Sequence, residues 1–297
     1  MGFEIKGLSE KIGDKDILQD INISLVPGEI VGLIGRNGVG KTTLFRSIAG
    51  QYIPDTGDIL IDDQWVKEDL TLKEKLFYLD TQNNFFDSYT IDKIADFYEL
   101  AYQTFDREKY NNWVIEYDLP RQTKYRQFSK GMQGLFNIVL AFSTGAPYVI
   151  LDEPLDGLDV IVRKQVFQII IDAVSEDQRG VLISSHNLEE LDRLIDRAIV
   201  LKGSHIVSDY RLEDTRSEAR KVQLVFKSKE IPTFVKENSR AISIQGRVVV
   251  VLFEHYSAEL EAQIQAEDPA LFEELPLTLE DLFRASISAK ESTEGEK

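Results

Sequence analysis

The sequence predicts an α/β fold: a largely parallel sheet, covered by helices on both faces, built around a phosphate-binding loop. Three observations carry this. Residues 31–43 read Val-Gly-Leu-Ile-Gly-Arg-Asn-Gly-Val-Gly-Lys-Thr-Thr, and Gly35, Gly40, Lys41 and Thr42 fit G-x-x-x-x-G-K-[ST]. The apolar run Glu29 to Ile34 leads into this loop as a buried strand, and Thr42 to Ala49 leaves it as a helix stopped by Gly50. Further on, apolar strands and helices alternate, which argues a sheet buried on both faces.

Taken in order, residues 3–26 alternate apolar and polar positions around the turn Gly13-Asp14, which predicts antiparallel strands. Asp58 to Asp62 reads as a strand after the turn Pro54-Asp55-Thr56-Gly57. Leu76 to Leu79 is a short strand, and Gln82 follows on a polar loop. Residues 90–105 place Ile91, Ile94, Ala95, Tyr98, Tyr102 and Phe105 at helical spacing, with Thr90 as the cap. A second helix over 107–118 ends before Pro120. An apolar helix then fills 128–144, so a helical insert of about 88–144 separates the strands.

Residues 148–154 read Tyr-Val-Ile-Leu-Asp-Glu-Pro, a buried strand ending in two carboxylates. A helix over 160–174, a strand Gly180 to Ser185 ending at His186, a helix Leu188 to Leu194 and a strand Ala198 to Leu201 complete the pattern. The main domain is expected over 1–212 and a polar, charged linker over 213–219. A small α+β extension follows over 220–287. Its strands are Lys221 to Phe226, Ala241 to Ile244 and Arg247 to Phe253, with a hairpin at Gln245-Gly246. Its helices are Ser257 to Ala266 and Thr278 to Phe283. The polar tail, 288–297, is expected to be disordered. The sequence shows no internal repeat.

Composition narrows the function. A chain of 297 residues has ample core for one large or two modest domains. A formal net charge of −17 repels nucleic acid and anionic lipid at long range, so no nucleic-acid partner is expected. Without a cysteine, disulfides, thiolate metal sites and cysteine nucleophiles are excluded together. Met-Gly-Phe-Glu-Ile-Lys is no secretory signal, and Lys6 stands where a myristoylation motif needs Ser or Thr. No apolar run approaches the roughly 18 residues of a membrane span. The expectation is a soluble chain whose membrane role, if any, needs a partner.

The chemistry follows from residue type and spacing. Gly35, Gly38 and Gly40 let the backbone turn tightly and bring its N–H groups to an anion. The next helix points its positive end at the same place. In this chemistry Lys41 bridges the β- and γ-phosphates and the Thr42 hydroxyl holds Mg²⁺. Asp152 closes an apolar strand, the place for a carboxylate that organises the metal, and Glu153 stands one residue further as general base. A bare acidic pair at a strand end is more often a solvated cap; the phosphate loop decides for function here. His186 ends the neighbouring strand, at the edge where ligands collect in open α/β sheets. His205 and His255 have no such placement and read as structural. No zinc-ligand spacing occurs.

Together these residues resemble one family, the ATP-binding cassette (ABC) ATPases, over roughly residues 3–210. Gly35, Arg36, Asn37, Gly38, Val39, Gly40, Lys41, Thr42 and Thr43 match its Walker A loop. Gln82 matches the Q-loop glutamine, a ligand of the metal. Phe128-Ser129-Lys130-Gly131-Met132 resembles the signature motif, usually Leu-Ser-Gly-Gly. Tyr148 to Glu153 matches Walker B plus the catalytic glutamate, and Gly157-Leu158-Asp159 the D-loop. His186, in Ser-Ser-His-Asn-Leu-Glu-Glu, matches the switch histidine. The resemblance implies a mixed RecA-like sheet with N-terminal antiparallel strands and a helical subdomain. It also implies ATP and Mg²⁺ as ligands, catalysis by Glu153, His186, Gln82 and Lys41, and a head-to-tail pair of cassettes. There the signature residues Ser129, Lys130 and Gly131, with Asp159, close the nucleotide held by the partner cassette.

The departures are specific. Ile12 stands where the family often carries an aromatic residue against adenine. Lys130 replaces a glycine, Gln133-Gly134-Leu135 replaces the common Lys-Gln-Arg, and Leu155-Asp156 the common Thr-Ser. The ending Leu275 to Phe283 resembles the Ser-Leu-Glu-Asp-x-Phe close of bacterial peptide, lantibiotic and drug exporter ATPases. The resemblance thus implies an ATPase at the cytoplasmic face of the membrane. It would power a separate permease, in export rather than import. The rival readings are a soluble ABC ATPase acting on nucleic acid or ribosomes, and a non-hydrolysing regulatory cassette. The first is disfavoured by the acidic charge and by the lack of a second cassette or coiled-coil insert, the second by Glu153 and His186.

Overall fold

The computed structural model describes residues 2–80, 86–228 and 230–285. Gln82 and the tail beyond residue 285, including the segment expected to be disordered, lie outside them. The chain divides into two compact units, Met1–His186 with Leu194–Ile206, and Asn187–Arg193 with Val207–Lys297.

The first unit opens as the alternating pattern requires. β1 (Phe3–Ile12) and β2 (Lys15–Leu25) pair antiparallel around Gly13, whose φ of +62° suits the turn. The five residues of β3 (Ile30–Ile34) are all buried, and α1 (Lys41–Ile48) follows the glycine loop. β4 (Thr56–Ile61) joins β1 and β5 (Gln64–Trp65) joins β4, giving an antiparallel sheet ordered β2-β1-β4-β5.

β6 (Leu76–Asp80) leads to the helical insert: α2 (Ile91–Ala101), α3 (Arg107–Glu116) and α4 (Lys130–Ser143). α2 stops short of the expected end, because Tyr102 is already extended. The Tyr102 hydroxyl instead donates to the Leu76 carbonyl at 3.0 Å. β7 (Tyr148–Asp152), α5 (Val160–Ser175), β8 (Gly180–Ser184), α6 (Leu188–Leu191), β9 (Arg197–Lys202) and β10 (His205–Arg211) follow. The second sheet has the order β10-β9-β3-β8-β7-β6. β9, β3, β8, β7 and β6 run parallel to one another. One core joins this sheet to the antiparallel one through Phe3, Leu8, Leu33, Phe45, Tyr148 and Leu182. α1 is fixed from below by that core through Leu44, Phe45 and Ile48.

The second unit holds the short α6. The stretch expected as a linker, 213–219, carries most of α7 (Leu212–Glu218), with Ala219 extended after it. Beyond it run β11 (Arg220–Val225), α8 (Thr233–Asn238), β12 (Arg240–Gln245), β13 (Val248–Phe253), α9 (Ala258–Ala266) and β14 (Leu271–Leu275). All three pairings are antiparallel and the order is β12-β13-β11-β14. This βαββαβ arrangement is of the ferredoxin-like type. Val222, Leu224, Val249, Val251, Phe253 and Ile264 form its core. A closing helix over 279–285 is anchored by Asp281, which pairs with Lys221 at 2.9 Å and accepts from Thr278. Those hydrogen bonds hold the Asp281 carboxyl below its ordinary range against the burial that raises it.

Candidate nucleotide-binding site

The carboxyl ends of the parallel strands open onto a cavity of 630 Å³. That is within the range of small-molecule sites, about 300–1,000 Å³. Asn37, Gly38, Gly40, Lys41, Thr42 and Thr43 line it together with Glu153 and His186.

The glycine loop is shaped by necessity at two positions. A Cβ at Gly35 would lie 2.7 Å from Val39 Cγ1 and 2.8 Å from the Leu201 carbonyl. Gly40 has a φ of +114°, and a Cβ there would meet Ile17 and Leu18 at 3.1–3.3 Å. The loop runs directly into α1. Gly40 supplies no side-chain cap to α1, and its first turn carries no acidic residue. α4 and α5 differ: Ser129 accepts from the Met132 N–H, and Asp159 from those of Ile161 and Val162. The uncapped N–H groups of α1 are therefore the ones left for an anion.

Lys41 is buried, with 6% exposure. A buried ammonium needs partners. It donates to the Gly35 carbonyl at 2.8 Å and pairs with Glu153 Oε1 at 3.5 Å. Glu153 lies just past β7 in the left-handed region, at φ +50°. For a non-glycine residue this is a strained conformation of the kind that gathers at functional sites. Several contacts hold it. Its N–H donates to Ser184 Oγ at 3.0 Å, and its Oε2 lies 2.6 Å from His186 Nδ1 and accepts from the His186 N–H at 3.2 Å. Ser184 Oγ in turn donates to Asp152 Oδ1 at 2.7 Å. One hydroxyl thus orders both members of the acidic doublet.

The expected residues fall into groups. Asn37, Gly38, Gly40, Lys41, Thr42, Thr43, Lys130, Glu153 and His186 line the cavity. Gly35 and Val39 shape the loop behind it, and Arg36 is exposed. Asp152 is buried beneath Glu153. Ser129, Gly131 and Asp159 are grouped at the starts of α4 and α5 and do not line this cavity; a Cβ at Gly131 would lie 3.9 Å from Asp159 Oδ2. Gln82 is outside the described residues. Ile12 does not line this cavity. It closes the β1–β2 hairpin opposite Lys15 and is 55% exposed. Ile17, which lies against Gly40, lines the cavity along with Tyr125, Pro154 and Leu158. Sequence reasoning also missed Ser184. Its signal was its place at the end of the strand beside the acidic doublet.

The oxygen donors suit a hard cation. Thr42 lines the cavity and Asp152 lies beneath it, and hydroxyl and carboxylate oxygens match Mg²⁺ rather than a soft metal.

Comparison with known proteins agrees with this geometry. A family model described as ABC transporter matches residues 18–156. The ABC transporter ATP-binding protein YtrB of Bacillus subtilis is 32% identical over 287 residues, covering 97% of this chain and 98% of that protein. The chain belongs to the ABC transporter ATP-binding family. It is an ATP hydrolase, the nucleotide-binding ATPase subunit of a transporter. Among solved structures, an ATP-binding subunit of an ABC transporter is 26% identical, with a TM-score of 0.67 over 73% of this chain and 92% of that one. A dimeric post-hydrolysis cassette bound to ADP and Pi matches with a TM-score of 0.61, over 71% of this chain and 98% of that one. At 22% identity it speaks for the ABC cassette fold alone. Among the described residues, no helix is long and apolar enough to cross a membrane.

Proposed function

We propose that this ABC ATPase powers a separate transmembrane permease as an exporter of peptides, antibiotics or other amphipathic compounds. The observation that carries the ATPase chemistry is the convergence of Lys41, Glu153 and His186 on one cavity beneath an uncapped helix start. The β- and γ-phosphates would accept from the loop N–H groups of Arg36 to Thr43. Lys41 would exchange its contact with Glu153 for phosphate oxygens. Thr42, Asp152 and Gln82 would hold Mg²⁺. When bound, the ion neutralises charge shared between the β- and γ-phosphates. Released from Lys41, Glu153 would polarise the attacking water, and His186 would hold the carboxylate and the γ-phosphate in line.

A second cassette would close the site from outside, in a head-to-tail pair. Ser129 Oγ accepts within its own helix, which leaves its proton free to donate to a phosphate. Lys130 and Gly131 would face the same γ-phosphate, and Asp159 would lie at the seam. ATP binding would close the pair and hydrolysis reopen it, with Gln82 and the helical insert passing the motion to the permease. The direction, export, is supported by the Leu275 to Phe283 ending. The chain would then sit at the cytoplasmic face of the membrane through its permease.

Native purification tests this. The full chain should bring down a membrane protein with several spans. Recovery of RNA or ribosomal proteins alone would contradict the transport reading.

A further inference from the structure

Asp152 has a neighbour of its own charge. β6 and β7 run parallel with Asp80 beside Asp152 in register, so two carboxylates end adjacent strands at one edge. Asp152 is buried, 4% exposed, and the Asp80 side chain is 7% exposed. Like charges in that position repel. The answer comes from α1. Arg46 follows Thr42 by four residues, one helical turn along the same face. Its guanidinium is 3.3 Å from Asp80 Oδ2 and donates to the Tyr52 hydroxyl at 3.3 Å. Burial, then the Asp152 and Asp80 charges, raise the pKa of the nearby Tyr78 phenol, whereas Arg46 lowers it.

We propose that Arg46 is a positioning residue of the hydrolytic site: it holds Asp80 and cancels its charge, so that Asp152 is not opposed by a second negative charge. The inference rests on the role of Asp152 given above. One part-buried ion pair then ties the phosphate-binding helix to the carboxylate strands, without touching nucleotide. Arginine suits the task because its planar fork serves two acceptors at once.

The test compares Arg46→Met, Asp80→Asn and the double variant in the full chain, with Asp152→Asn as reference. Removing Arg46 withdraws a counter-charge from Asp80, whereas removing both charges leaves nothing to compensate. Arg46→Met should lower kcat by about tenfold or more, and the double variant should return to within about threefold of the parent. Asp80→Asn alone should stay within about threefold. ATP affinity in EDTA should stay within about twofold throughout, because the glycine loop is intact. The melting temperature of the nucleotide-free chain should fall in Arg46→Met and recover in the double variant. If Arg46→Met does not fold, the double variant decides alone: folded and active upholds the inference, anything else overturns it. Turnover unchanged in Arg46→Met, or no recovery in the double variant, also overturns it. Should Asp152→Asn itself turn over normally, the failure belongs to the role of Asp152 and the inference falls with it.

Discussion

Glu153→Gln should bind ATP and fail to hydrolyse it. The substitution keeps the size of the side chain and can still accept from the His186 N–H, which Glu153 does now at 3.2 Å. It removes the basic carboxylate. Loss of a positioned general base costs about 10²–10⁴ in rate, and ATP affinity should change by less than about threefold because the glycine loop is untouched. Steady-state turnover and equilibrium binding, measured on the same preparation, separate the two. With ATP present the variant should also persist as a closed dimer on size-exclusion chromatography. Parental turnover would show that another group is the base.

Gly40→Val should damage both fold and site. The backbone there has a φ of +114°, which a β-branched residue does not adopt, and the new Cβ would press on Ile17 and Leu18 at 3.1–3.3 Å. Strain and overpacking together should cost roughly 2–5 kcal/mol in chemical denaturation. ATP affinity should fall by about tenfold or more, since the first N–H groups of α1 would be displaced. Gly13→Val is the control. Its φ is +62°, but nothing lies within 4 Å of a Cβ there, so it should lose some stability and keep its affinity for ATP. Equal losses of affinity in both would mean that the fit at Gly40 has no special part in the site.

Where the sequence was legible, a local pattern and the final packing agreed. β3 is apolar throughout and buried throughout, and the glycines of the loop carry a motif that only one backbone path satisfies. The second unit was less legible. α7 has a single buried residue, Leu212, so no apolar stripe betrays the helix. β14 reads Leu-Phe-Glu-Glu-Leu, without alternation; it is an edge strand formed by pairing with β11. The site divides in the same way. Lys41, Asp152, Glu153 and His186 declare themselves by type and spacing. The hairpin turns at Gly13 and carries Ile12 to its exposed tip, while Ile17 lines the cavity. The left-handed backbone of Glu153 depends on Ser184 and His186, which are 31 and 33 residues away in sequence. No local pattern records a contact of that kind.

The most direct measurement is equilibrium binding of ATP to the full chain and to Lys41→Ala. Removing a charge-assisted contact worth about 1.5–3 kcal/mol should weaken binding by about 10–150-fold. Saturable binding in the parent with that loss in the variant is the predicted result. No saturable binding in the parent, or equal affinity in the two, would contradict the account at its root.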